Sequence, residues 1–113
     1  MSRTASRKAV APQSEPRSDV VVRQARRARA KGDHRRSMVL LREACCLEPE
    51  DPRLWTLYAT ACIRQRRIDD AARALSQAVW LRERQGDDVR AAVTRRLLER
   101  TRAASGAWLR CAA

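Results

Sequence analysis

The segment SMVLLREA at residues 37–44 decides the fold, because a counterpart, AARALSQA, follows 34 residues later at residues 71–78. Both segments place small and large apolar side chains at spacings of three and four residues, which is the spacing of one helix face. Small side chains at such positions let two antiparallel helices approach closely. The pairs that coincide under this shift are Ala25 and Ala59, Ser37 and Ala71, Leu41 and Leu75, and Ala44 and Ala78. The sequence therefore predicts two helix pairs of equal length.

Working outward from these segments, the helical pattern continues almost without interruption from Ser18 to about Ser105. It breaks at Gly32-Asp33, at Pro49 to Pro52, near Arg66 to Asp69, and at Gly86-Asp87. Short polar residues at these breaks can accept hydrogen bonds from the first free backbone N–H groups of a helix. The expected capping residues are Ser18, Asp33, Asp51, Asp69 and Asp87. The expected helices are roughly 18–31, 33–47, 52–65, 69–84 and 87–104.

Three of the helices, the second, fourth and fifth, have an apolar stripe that predicts which face is buried. In the second helix the stripe is Ser37, Met38, Leu41, Ala44 and Cys45. In the fourth it is Ala71, Ala72, Leu75, Ala78 and Val79. In the fifth it is Val89, Ala92, Val93 and Leu97. The polar residues between these positions are expected to face solvent.

With its period of 34 residues, the sequence resembles the tetratricopeptide repeat family. Gly32 stands at the family's turn between paired helices, and Trp55 stands at the aromatic position that opens a repeat. Pro49, in LEPEDP, stands at the proline that closes one. The sequence departs from the pattern where Arg66 replaces the turn glycine and Glu83 replaces the closing proline.

The resemblance implies an all-α fold, a short array of about five helices arranged as helical hairpins. The expected organisation is a disordered basic arm at 1–17, repeats at 18–51 and 52–85, a capping helix at 86–104 and a C-terminal tail at 105–113. Two repeats are fewer than the three or so that such arrays usually need. The capping helix, together with a homodimer, is expected to make up the shortfall.

Composition narrows the classes of function. The 113 residues suffice for one small domain, and 25 basic against 13 acidic residues give a formal net charge of +12. Arg outnumbers Lys 23 to 2, so part of this charge reflects the coding bias of a GC-rich genome. No segment approaches the roughly 20 apolar residues that span a bilayer, so no membrane association is expected.

The N-terminal segment and the four cysteines indicate the cellular compartment in which the protein is expected. The first 17 residues lack the apolar core of a secretory signal. They are basic, as in a mitochondrial transit peptide, but they show no amphipathic stripe. The cysteines, Cys45, Cys46, Cys62 and Cys111, form no regular framework, so reduced thiols in the cytoplasm are expected. Cys45 and Cys62 are expected in the core, and Cys46 and Cys111 on the surface.

We expect no catalytic, cofactor-binding or metal site. His34 is the only histidine, and it follows a helix-capping aspartate. The acids in the first turns of the predicted helices complement the helix dipole rather than forming a catalytic pair. Cys45 and Cys46 are adjacent, so their side chains diverge by about 100° on a helix and do not converge on one zinc ion.

The resemblance implies that the first helix of each pair lines a concave surface. The predicted peptide-binding groove consists of Val22, Arg26, Arg29, Arg53, Thr56, Thr60, Ile63 and Arg64. Asp19 is expected on the same face of the first helix, next to these residues. Guanidinium groups suit bidentate pairing with carboxylates, so an acidic segment of a protein partner is the expected ligand. Some family members grip a C-terminal carboxylate with a lysine–asparagine clamp. Val22 and Arg26 replace its first two members here, so that mode is not expected.

Two functions remain open at this point. The first is a non-catalytic adaptor or scaffold that holds a protein segment in the groove. The alternative is a basic protein that associates with nucleic acid through its net charge and its N-terminal arm. The sequence has no recognisable motif for binding DNA or RNA, and we expect no aromatic residue to be available for base stacking. The adaptor is therefore preferred.

Overall fold

The computed structural model describes residues 15–112, with side chains described for residues 15–106. The helices are α1 Arg17–Ala30, α2 His34–Leu47, α3 Pro52–Arg64, α4 Ile68–Arg84 and α5 Asp88–Ala112. All regular structure in this part of the chain is helical, which confirms the predicted all-α fold. Most of the predicted arm lies outside the described residues, and α1 begins at its last residue, Arg17.

Each helix packs against the next one in sequence, through connections of three or four residues. Side chains show that α4 and α5 run antiparallel: Glu83 near the end of α4 pairs with Arg95, while Arg102 further along α5 donates to the hydroxyl of Ser76 at 3.5 Å. Trp55 and Pro49, two of the three positions that carried the family resemblance, are hydrogen-bonded to each other. The indole N–H donates to the Pro49 carbonyl at 2.9 Å.

The core follows the 34-residue register. All eight overlaid residues are buried, and Ala44, Ala59, Ala71, Leu75 and Ala78 have no exposed surface. The residues predicted to be buried in α2 and α4 are all buried except Ala72, which is partly buried against the core. Leu40 of α2 and Ala74 and Leu81 of α4 are buried as well, so both packed faces are wider than predicted. The small residues of the register are therefore buried, as expected for positions at which neighbouring helices pack.

Three helices end in the same left-handed turn. Gly32, Arg66 and Gly86 have φ values of 84°, 58° and 76°. At each turn the next residue's N–H reaches back to a carbonyl five residues earlier, which satisfies a group that the helix leaves free. These bonds join Asp33 to Ala28, Arg67 to Cys62, and Asp87 to Arg82, each at 2.8 Å. Arg66 therefore adopts the conformation that glycine adopts at the equivalent position of the first repeat.

The capping predictions have mixed outcomes. The carboxylates of Asp33, Asp51 and Asp87 accept backbone N–H bonds at 3.1, 2.9 and 3.2 Å, as predicted. Ser18 and Asp69 do not cap, because α1 and α4 begin one residue earlier than expected. Ser18 is instead buried inside α1, where its hydroxyl donates to Glu48 at 3.4 Å.

The prediction of which face of α5 is buried is wrong. Val89 and Val93 are 77% and 62% exposed, Ala92 is also exposed, and Leu97 is only partly buried. Among the residues of this helix up to 106, the buried ones are Ala91, Thr94, Leu98 and Thr101. The threonines can be buried because their hydroxyls donate to carbonyls four residues earlier, Thr94 at 2.7 Å and Thr101 at 2.8 Å. α5 also continues to Ala112, past its expected end at 104.

Candidate functional site

The predicted groove residues on α1 separate into two groups. Arg26 and Arg29 are exposed and have no carboxylate within 4.0 Å among the described residues. Val22 is only 4% exposed and belongs to the core, so it does not line a groove. Because the helix buries Val21 together with Val22, its packed face is wider than the single stripe that spacing indicated. Asp19, half-buried, faces Arg53 of α3 at 3.7 Å.

On α3, the threonines of the predicted groove are half-buried and already hydrogen-bonded. The hydroxyl of Thr56 donates to the Pro52 carbonyl at 3.0 Å, and that of Thr60 donates to the Thr56 carbonyl at 3.0 Å. Their oxygens remain free to accept bonds but not to donate. Arg53 lies 3.7 Å from Asp19 and 3.7 Å from Asp51. Its charge is therefore partly neutralised within the chain.

The last two predicted groove residues, Ile63 and Arg64, line a cavity of about 480 Å³ at the carboxyl end of α3. The α3–α4 turn, the start of α4 and α5 form its other described walls. Its other lining residues are Arg66, Ile68, Asp69, Ala104 and Ser105. The sequence did not predict that α5 contributes to this cavity. The helix was expected to end at residue 104, and nothing in the 34-residue repeat indicated that it lies near α3.

The cavity combines apolar walls with cationic groups. Ile63 and Ile68 are the only two isoleucines in the chain, and both line it. Arg64 and Arg66 are exposed and, within residues 15–106, form no ion pair. Among the lining residues that the structure describes, Asp69 provides the one carboxylate. Such a site can hold an apolar side chain and pair a neighbouring carboxylate with guanidinium groups.

Asp70, beside the cavity, is already paired. Arg67 donates to it at 2.8 Å and Arg73 donates from the following turn. The hydrogen bond from Arg67 is the main reason that the pKa of Asp70 lies below its usual value. Asp70 therefore stays ionised at neutral pH and neutralises part of the charge of these two arginines.

Two of the cysteines lie in the core and one lies on the surface. Cys45 and Cys62 are fully buried, as predicted, while Cys46 is exposed. Burial raises the pKa of Cys45 to about 12 and also raises that of Cys62. No group of three or more potential metal ligands occurs in the described part of the chain. Cys111 lies outside the residues whose side chains are described.

A family model of the tetratricopeptide repeat matches residues 28–96, which include α2, α3, α4 and part of α5. The chain belongs to the tetratricopeptide repeat family. No curated protein matches the sequence significantly. Among the described helices of this repeat protein, none has the length and apolar character needed to cross a bilayer.

One exposed residue of the second repeat was missed by sequence reasoning. Trp80 on α4 is 51% exposed, and the guanidinium of Arg84 lies 4.7 Å from the centre of its ring. The expectation that no aromatic residue is available for stacking is therefore wrong. The 34-residue repeat could have predicted the exposure of Trp80. Trp80 aligns with Cys46, and Cys46 lies outside the buried stripe that was predicted for α2.

Proposed function

We propose that this repeat protein is a non-catalytic adaptor or scaffold that binds an acidic segment of a protein partner in a concave, Arg-lined groove. The cavity at the end of α3 is the observation that carries the proposal. An apolar side chain of the partner would enter between Ile63 and Ile68, and flanking carboxylates would pair with Arg64 and Arg66. Its volume of about 480 Å³ lies within the range of ordinary ligand sites.

Charge supports an acidic ligand over a neutral one. Arg26 and Arg29 are exposed on α1, and in the proposed groove they would extend its positive surface. A formal net charge of +12 would accelerate encounter with an anionic segment, and the effect would weaken as salt increases. The apolar part of the cavity would then supply selectivity, because a purely electrostatic surface does not distinguish one acidic segment from another.

The test is affinity capture from nuclease-treated extract with two double variants of equal charge. Arg26→Glu with Arg64→Glu reverses two charges in the groove, and Arg36→Glu with Arg73→Glu reverses two exposed charges on α2 and α4. The first variant should lose a protein partner that the second retains. Equal weakening by both variants would contradict the groove, since it would show that only total charge matters. Retention by both would also contradict it.

A further inference from the structure

We infer that the solvent face of α4 centred on Trp80 binds single-stranded nucleic acid. This face, called here the Trp80 surface, consists of Arg73, Ser76, Gln77, Trp80 and Arg84 of α4 with Arg102 of α5. It is separate from the groove, so the inference does not depend on the proposed function. Its chemistry is one exposed indole surrounded by guanidinium groups.

Helical spacing places the α4 residues of the Trp80 surface on one side of the helix. Arg73, Gln77, Trp80 and Arg84 are separated by four, three and four residues, so they form one stripe. Four of the residues, Arg73, Ser76, Gln77 and Trp80, line a shallow depression. Arg84 lies against the indole ring at 4.7 Å, and Arg102 reaches across from α5 to the hydroxyl of Ser76 at 3.5 Å. The indole thus has a cation on one side and an open depression beside it.

The first repeat provides an internal comparison. The residues that overlay Arg73, Gln77, Trp80 and Arg84 are Val39, Glu43, Cys46 and Glu50. All four of these are exposed, so the fold does not require an indole or arginines at these positions. Two acids of the first repeat correspond to a glutamine and an arginine in the second. The second repeat therefore carries a cationic, aromatic surface that repeat packing alone does not explain.

The charges of this surface are suited to an anion. Asp70 is shared between Arg67 and Arg73, which leaves one net positive charge in that group. Arg84 and Arg102 have no carboxylate within 4.0 Å among the residues whose side chains are described. Arg73 and Arg84 are eleven positions apart in sequence, which corresponds to about 16 Å along the helix. That separation suits a row of anionic groups better than a single one.

The indole identifies the kind of polyanion. Every nucleic-acid base has a π face, and stacking on an exposed aromatic side chain is possible only when the base is free of its duplex. Phosphates would pair with the guanidinium groups while a base stacks on Trp80. An acidic peptide would use the arginines but would gain no comparable contact from the indole. Single strands are therefore the ligand that uses all parts of the surface.

The test measures binding of the full chain to fluorescent oligo(U), oligo(dT) and a duplex by anisotropy. Trp80→Leu keeps an apolar side chain but removes the π face, so it should lower affinity for single strands about 5- to 150-fold. Trp80→Phe should retain most of the affinity, and Val39→Ala, on the equivalent face of α2, should have no effect. Binding of the duplex should not change with Trp80→Leu.

A second pair of variants tests the arginines. Arg84→Gln with Arg102→Gln should weaken single-strand binding and reduce its salt dependence more than Arg35→Gln with Arg36→Gln, which removes the same charge from α2. Circular dichroism confirms that each variant is folded. The inference is overturned if Trp80→Leu binds single strands like the parent, or if both arginine pairs weaken single strands and duplex equally. It is also overturned if Trp80→Leu weakens poly-glutamate as strongly as it weakens oligo(U), since the surface would then bind acidic protein.

Discussion

At the scale of single residues, Arg66 is the clearest case in which the chain departs from its own repeat. Its φ of 58° lies in the left-handed region, where the Cβ of an L-residue crowds the following carbonyl at a cost of about 1–2 kcal/mol. Gly32 occupies the equivalent turn without that cost. The turn persists at Arg66 because the Arg67 N–H bonds to the Cys62 carbonyl at 2.8 Å.

Arg66→Gly should therefore raise the free energy of unfolding by about 1 kcal/mol, measured by urea denaturation. Gly32→Ala provides the converse control. A Cβ at Gly32 would have no atom within 4 Å, so the expected loss of about 1 kcal/mol would come from the backbone alone. If Arg66→Gly destabilised the protein, the left-handed turn would not carry the strain attributed to it.

The cysteines permit a chemical prediction at the same scale. With its pKa raised to about 12, Cys45 is ionised to only about one part in ten thousand at pH 8, and the thiolate is the reactive form. In native protein treated with iodoacetamide, Cys46 should be alkylated well before Cys45 or Cys62, as tandem mass spectrometry can assign. Denatured protein should lose this order. Alkylation of Cys45 and Cys46 at similar rates in the native state would show that the core opens there.

At the scale of elements, α5 shows why apolar spacing alone does not identify the buried face. Val89 and Val93 are more hydrophobic than Thr94 and Thr101, yet the valines face solvent. A threonine whose hydroxyl bonds to its own helix can be buried at little polar cost, so its methyl group packs like that of a small apolar residue. The valine face is also the surface on which a second copy of the chain would lie if the expected homodimer forms there.

Replacement of Val89 and Val93 by Gln should change the free energy of unfolding by no more than about 0.5 kcal/mol, whereas Leu98→Ala, at a buried position, should cost about 2–5 kcal/mol. Thermal or urea unfolding at several protein concentrations checks both values. A large loss in the valine variant that is greatest at high protein concentration and shrinks as both proteins are diluted would mean that a second copy covers this face, because dilution removes the stabilisation that the parent gains from dimerisation.

At the scale of the whole molecule, much of the fold was predictable because one register constrains both repeats. The burial of Ala44 and Ala78 could be predicted from sequence, because few residues other than small ones fit where two helices pack closely. The cavity was not predictable, because Ala104 and Ser105 join Ile63 only through the tertiary path of α5. The exposure of Trp80 could have been predicted from its alignment with Cys46. It was not, because an aromatic residue in a helical pattern ordinarily indicates a core position.

The central claim, that the end of α3 binds an acidic segment, can be tested at two atoms. Ile63 and Ile68 are the chain's only isoleucines, so selective ¹³C labelling of their δ1 methyl groups yields two NMR signals that both report on the cavity. Ile63→Val and Ile68→Val assign them. Titration uses an acidic peptide with one central leucine, an all-glutamate peptide and a lysine-rich peptide.

The leucine-containing acidic peptide should shift both methyl signals to saturation, and the all-glutamate peptide should shift them less and bind more weakly. The lysine-rich peptide should leave both signals in place. Binding of the acidic peptide, detected independently by anisotropy, with both isoleucine signals unmoved would contradict the account, because the segment would then occupy another surface.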